Sequence, residues 1–218
     1  LGLYGVGCDE GARQDLDSAN QHLSRVEFAG MLSKATILKD PQHHRGRHMW
    51  KHTGRQPPDF AIEPGPGQES VWDYPRPPKL VSSDEHVLVG DDRGPIADSR
   101  RSLRVLETAS PPNYYIPAAD IDWDRLVEIP GSSFCEWKGR ASYFALAGDP
   151  EGTAVGWLYA NPSKAFAAIH NHVSFYPGRI HCEVNGETVR PQAGDFYGGW
   201  ITGRVVGPFK GDPGTGHW

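Results

Sequence analysis

One β-prone, aromatic run near the middle of the chain constrains the fold more than any other stretch. It reads Phe134-Cys135-Glu136-Trp137-Lys138-Gly139-Arg140-Ala141-Ser142-Tyr143-Phe144-Ala145-Leu146. Such residues suit a pleated, half-buried surface, and residues two apart on a strand share a face. Read as a single strand, the run points Phe134, Glu136 and Lys138 one way and Cys135 and Trp137 the other. Gly139 either continues the strand or marks a bulge, so the alternation is not carried past it. A thiol, a carboxylate and an ammonium stand side by side among aromatic rings. A Glu and a Lys so placed have coupled, environment-dependent pKa values, which suits a reactive site and equally a structural ion pair.

The rest of the chain is heavily punctuated. Its 218 residues include 26 glycines and 19 prolines, which favour short strands and turns over long helices. Residues 1–40 read as a partly helical N-terminal segment with an apolar stripe of Leu23, Val26, Phe28, Met31 and Leu32. Residues 41–67 form a Pro/His-rich linker. Within it His44, His48 and His52 are spaced four apart, which on a helix would align them as metal ligands. Gly46 interrupts that spacing and Arg45, Arg47 and Lys51 repel a cation, so a solvated basic linker is expected and no metal.

Residues 68–218 read as a β-rich domain. Short strands are expected at Lys79–Ser82, Val87–Val89, Ile96–Asp98 and Ala154–Tyr159. Ser99 can cap a helix over Arg100–Thr108, Asp120–Leu126 suits a single helical turn, and Pro162 opens a second helix to about His172. Asn185-Gly186 is a strong hairpin signal between Arg179–Val184 and Thr188–Arg190.

Several functions are disfavoured by these counts. A formal net charge of -5 argues against a dedicated nucleic-acid binder. Cys8, Cys135 and Cys182 form no C-x-x-C pair, against a thiolate zinc site or a thioredoxin-like motif. No run approaches membrane-spanning length and the opening residues are too short for a signal peptide, so a cytoplasmic protein without a membrane partner is expected. Whether a targeting segment stood ahead of Leu1 stays open. No cofactor is expected.

Several long motifs occur in a recognisable order: Glu69-Ser70-Val71-Trp72-Asp73-Tyr74-Pro75-Arg76-Pro77-Pro78, Leu103-Arg104-Val105-Leu106-Glu107-Thr108, Pro112-Asn113-Tyr114-Tyr115-Ile116-Pro117, Cys135-Glu136-Trp137-Lys138-Gly139, Phe196-Tyr197-Gly198-Gly199-Trp200 and Gly207-Pro208-Phe209-Lys210-Gly211. Together, over about residues 64–218, they make the chain resemble the "domain of unknown function 427" family. The resemblance implies a mainly β (α+β) fold of the β-tent type, with two antiparallel sheets meeting at an angle and, here, two short helices. Relatives in that fold often carry zinc on two C-x-x-C pairs, which this chain lacks. The family is also labelled nucleotidyltransferase-like, but the chain shows neither a phosphate-cradling Gly-rich loop entering a helix nor a paired-aspartate motif.

The candidate site follows from the same residues. Lys138, desolvated by Trp137 and Phe134 and next to Glu136, would act as base or Schiff-base nucleophile, or else fix the sheet as a paired charge. Cys135 is either a nucleophile or a buried small thiol. Arg104 and Glu107, three apart on the expected helix, would pair or present both charges to a ligand. Tyr143 joins Glu107 in acid–base work. Tyr115, Trp157, Tyr159, Tyr197 and Trp200 would line an aromatic pocket for a planar or cationic small molecule, the only partner expected. The preferred reading is a metal-independent small-molecule enzyme with a Glu/Lys acid–base pair; a non-catalytic binding module and a structural or interaction domain are the alternatives.

Overall fold

The computed structural model describes residues 51–194 and 196–218, and these lie in one compact unit. Expectations for residues 1–40, and for His44 and His48, fall outside the described residues.

The first strands are β1 (Glu69–Ser70), β2 (Lys79–Ser83), β3 (Val87–Asp91), β4 (Gly94–Ser99), β5 (Ser102–Glu107) and β6 (Ser110–Pro117). Two short 3-10 turns follow, Ala118–Asp120 and Trp123–Arg125. Next come β7 (Leu126–Cys135), β8 (Gly139–Leu146) and β9 (Gly156–Leu158), then a 3-10 segment at Lys164–Ile169. The chain closes with β10 (His172–Phe175), β11 (His181–Val184), β12 (Glu187–Thr188), β13 (Arg190–Pro191), β14 (Trp200–Ile201) and β15 (Val205–Val206).

The fold is mainly β. A seven-stranded sheet has the order β2-β5-β6-β10-β9-β8-β7 and a four-stranded sheet the order β12-β11-β3-β4, with antiparallel pairing in both. β1 and β15 pair in parallel, and β13 pairs with β14.

The central strands of the larger sheet are buried on both faces, and alternation along them feeds two cores. Tyr114 and Ile116 of β6 pack with Val87, Val89 and Ile96 of the smaller sheet, together with Phe144, Val173, Phe175 and Trp200. Tyr115, one residue out of phase, enters a second core on the outer face with Val105, Ala141, Trp157 and Tyr159. Phe166 and Ile169 of the 3-10 segment cover that core. A third cluster, Val71, Trp72, Tyr74, Ala109, Ile201 and Val205, joins the entry segment to the end of the chain. Each fully buried large side chain contributes about 1.5–3 kcal/mol.

Several local expectations are corrected. Arg100–Thr108 is not a helix: Ser102–Glu107 is strand β5, bonded between β2 and β6. Leu103 and Val105 face the outer core while Arg104 points to the opposite side, a period-two pattern that the packing selects over helix propensity. Nor is 134–146 one strand. β7 stops at Cys135, a turn of Glu136-Trp137-Lys138 reverses the chain, and β8 starts at Gly139, paired with Cys135. Gly139 has φ +105, and an added Cβ would press on the Asn161 carbonyl oxygen at 3.3 Å. The helix expected from Pro162 is only the kinked 3-10 segment, with Phe166 at φ -113, ψ 17. Ser163 pins its start to the hairpin turn, donating from its amide to the Lys138 carbonyl at 3.0 Å and from its hydroxyl to that of Trp137 at 2.6 Å. At the other end Asn171 takes φ 55 and the chain enters β10.

The Asn185-Gly186 hairpin forms between β11 and β12, with both residues at positive φ as a primed turn requires. Within the expected linker, His52 and Phe60 pack edge-on against Trp72, with ring centroids at 5.3 and 5.0 Å. No described helix is long and apolar enough to cross a membrane.

Candidate functional site

The outer face of the seven-stranded sheet brings together residues from four of the sequence motifs. Strand register sets a row across it: Leu103 lies opposite Tyr115, and Tyr143 opposite Trp157, which faces Ser174. Cys135 and Tyr143 share this face because Cys135 pairs with Gly139, four residues before Tyr143 on β8. The hairpin turn then folds Lys138 back onto the same face. The side chains left partly buried here are Leu80, Leu103, Cys135, Trp137, Tyr143 and Tyr176.

Hydrogen bonds fix the rings. The Trp157 indole donates to the Tyr115 hydroxyl at 3.2 Å, and the Tyr159 ring lies 6.4 Å from that of Tyr115. Tyr143 donates to the Ser133 hydroxyl at 2.6 Å. Tyr176 lies 4.4 Å from the Trp157 ring, with the Arg179 guanidinium stacked on it at 4.3 Å. Burial pushes the Tyr115, Tyr159 and Tyr176 phenols up from their ordinary value, so they remain neutral hydrogen-bonding groups.

Lys138 is the most unusual member. Only 8% of it is exposed, and its ammonium lies 5.8 Å from the Tyr159 ring centre. Burial works against its charge, but Tyr115, Cys135 and Glu107 outweigh burial and hold the ammonium above the ordinary lysine value. Cys135, a free and partly exposed thiol packed on the same core, is among the groups that act on its charge. Among the described residues Lys138 forms no salt bridge. Glu107, a carboxylate whose charge acts on it, is paired with Arg76 at 3.4 Å. Arg76 is buried and also donates to the Thr108 carbonyl at 2.8 Å. Burial lowers its pKa, while Glu107 and Glu136 raise it.

The expected site residues therefore divide. Cys135, Lys138, Tyr143, Tyr115, Trp157, Tyr159 and Glu107 come together. Glu136 sits exposed on the turn, where its charge acts on Arg76. Arg104 and Glu107 are on opposite faces of β5 and make separate pairs. Arg104 binds both oxygens of Glu69, at 3.1 and 2.9 Å, and Arg204 donates to Glu69 at 2.8 Å. Arg204 continues to Glu85 at 3.0 Å, which accepts from Tyr114 at 2.8 Å. Beside this second network lies a polar cleft of about 330 Å³, lined by Glu85, Val184, Asn185, Glu187, Thr202 and Arg204. Trp200 lies in the inter-sheet core, its indole donating to the Phe175 carbonyl at 3.0 Å. Tyr197 is half-buried beside Phe196, with the Lys210 ammonium 5.9 Å from its ring centre.

Arg76, Trp137 and Tyr176 also belong to the outer face. The first two stood inside motifs already singled out, but nothing in their spacing distinguished them, whereas Tyr176 belongs with the aromatic residues expected from sequence to serve a pocket. Among the described residues no three His, Cys, Asp or Glu side chains come together as a metal site.

No curated protein matches the chain. A family model described as "Domain of unknown function (DUF427)" matches residues 79–186, a span holding Glu107, Tyr115, Cys135, Lys138 and Trp157. Over those residues the chain is a member of the family of the domain of unknown function DUF427.

Proposed function

We propose that the outer face of the seven-stranded sheet is a small-molecule site, and that the protein is an enzyme whose reacting atom is the Cys135 sulfur. Lys138 supplies a fixed positive charge beside that sulfur. Arg76 and Glu107 form a polar flank, and Trp137, Tyr143 and Tyr176 form the apolar wall against which a substrate lies. One observation carries the reading: a partly exposed thiol shares the outer core with a buried ammonium that has no salt bridge to a described carboxylate. In a low-dielectric setting such an ammonium stabilises negative charge on the sulfur before it attacks, the form in which a thiol is a nucleophile. This reading does not use the Glu/Lys acid–base pair expected from sequence: Glu136 is exposed on the turn while Lys138 is buried on the outer core. A structural reading is favoured by the near-complete burial of Lys138, and it makes a different prediction for stability, argued below.

The test is alkylation by iodoacetamide, followed at each cysteine by peptide mass spectrometry in the folded protein. Cys135 should react in preference to Cys182, and Lys138→Met should slow it about tenfold, the factor that about 1.4 kcal/mol of barrier represents. An unchanged rate in a folded Lys138→Met variant removes the basis for the reading.

A further inference from the structure

Resting on the Cys135–Lys138 reading, we propose that Cys135 is oxidised by a hydroperoxide and that Lys138 retains the product as a sulfenate. In the reduced protein the buried ammonium shares a core with a thiol and phenols, and Glu107, a carboxylate whose charge acts on it, is already bound to Arg76. Oxidation of the sulfur creates the anionic partner that this cation lacks. The step balances with the peroxide alone. The sulfur attacks one peroxide oxygen, an S–O bond forms, and the O–O bond breaks. The thiol proton leaves with the departing oxygen as water, or as an alcohol from an organic hydroperoxide, and the resulting sulfenic acid releases its own proton to solvent to leave the sulfenate paired with the Lys138 ammonium. Sulfur is oxidised by two electrons and the peroxide reduced by two.

Access and persistence both favour this chemistry. Cys135 ends an edge strand and is partly exposed, within reach of a small oxidant. Cys182, the other described thiol, lies on β11 in the inter-sheet core, whereas Cys135 lines the outer one. Burial pushes the Cys182 thiol far up from its ordinary value, so it is an inert internal reference. The two sulfurs occupy different cores, so Cys182 is not placed to convert the sulfenate into a disulfide.

The experiment treats the full chain with hydrogen peroxide in the presence of dimedone and maps the adduct by peptide mass spectrometry. Iodoacetamide alkylation is run in parallel. Dimedone should label Cys135 and leave Cys182 unlabelled. Lys138→Met should reduce Cys135 labelling about tenfold, and Lys138→Arg, which keeps a cation, should retain more of it. Should Lys138→Met fail to fold, the wild type and Lys138→Arg decide the matter. Absence of Cys135 labelling in the wild type overturns the proposal, as does equal labelling in a folded Lys138→Met. If alkylation is fast and Lys138-dependent while dimedone labelling is absent, peroxide chemistry fails and the reactive-thiol reading stands. If both fail, both are wrong.

Discussion

Glu69 offers the sharpest test of the electrostatics that close this domain. Its carboxylate accepts both ends of the Arg104 guanidinium, the Tyr74 hydroxyl at 2.7 Å and Arg204. Burial opposes its ionisation, but the bonds from Arg104 and Tyr74 and the Arg104 charge outweigh burial and bring its pKa from 4.5 to about 2. At about 1.36 kcal/mol per pH unit, that gap corresponds to about 3 kcal/mol. Solvent reaches 28% of the side chain, which trims the figure to about 2–3 kcal/mol. The sign follows from the depressed folded value. This stabilisation is complete above pH 4.5 and is lost as the pH falls towards 2, with over half of it gone by pH 3. Glu69→Gln keeps the shape and removes the charge, leaving the Arg104 side chain, only 4% exposed, without its carboxylate. A loss of about 3–5 kcal/mol at pH 7 is expected. Urea unfolding of both proteins between pH 6 and pH 2.5 checks the reasoning. About three-quarters of the contribution is lost by pH 2.5, so the wild-type stability should fall by about 1.5–2 kcal/mol more than that of the variant. Glu85, Asp91 and Asp120 also have depressed values, but they are common to both proteins, so the difference reports Glu69. Parallel curves would refute the assignment.

Two packing predictions accompany it. A methyl at Gly198 would overlap the Trp157 ring, so Gly198→Ala should cost about 1–3 kcal/mol in urea unfolding; an unchanged midpoint would show that the ring can move aside. Tyr115→Phe deprives the buried Trp157 indole of its acceptor and should cost about 1–3 kcal/mol, with a change in Trp fluorescence; neutrality would mean the indole has another partner.

How far the sequence could be read depended on whether the determining contact was local. The Asn185-Gly186 hairpin was legible because a primed turn needs residues that tolerate positive φ. β5 was not. Its six residues suit either helix or strand, and the choice is made by β2 and β6, which supply its backbone partners. The Arg104–Glu69 pair spans 35 residues, and no local spacing predicts it. Cys135 and Lys138 were legible as candidates but not as partners, because strand alternation puts them on opposite faces. Only the reversal of the chain at Glu136-Trp137-Lys138 brings them together. Trp200 belongs to a different core from Trp157 for the same kind of reason: its place is set by the Tyr114 ring and the Phe175 carbonyl.

Two of the buried cations, Arg104 and Lys138, contrast in their partners. Arg104 is matched by a carboxylate in bidentate geometry, so removing either partner strands a charge. Lys138 is surrounded by neutral phenols and a thiol, and Glu107 has Arg76. Its raised pKa says that an ammonium is preferred there to a free amine; it does not say that lysine is preferred to an apolar chain. Methionine at position 138 would strand no charge, would fill a similar volume against Tyr159, and would avoid the desolvation of an ammonium. Lys138→Met should therefore leave stability within about 1 kcal/mol of the wild type, or raise it. Cys135 reactivity should fall in the same variant. If Lys138→Met instead loses about 3–5 kcal/mol in urea unfolding, the lysine holds the hairpin on the outer core and the structural reading wins.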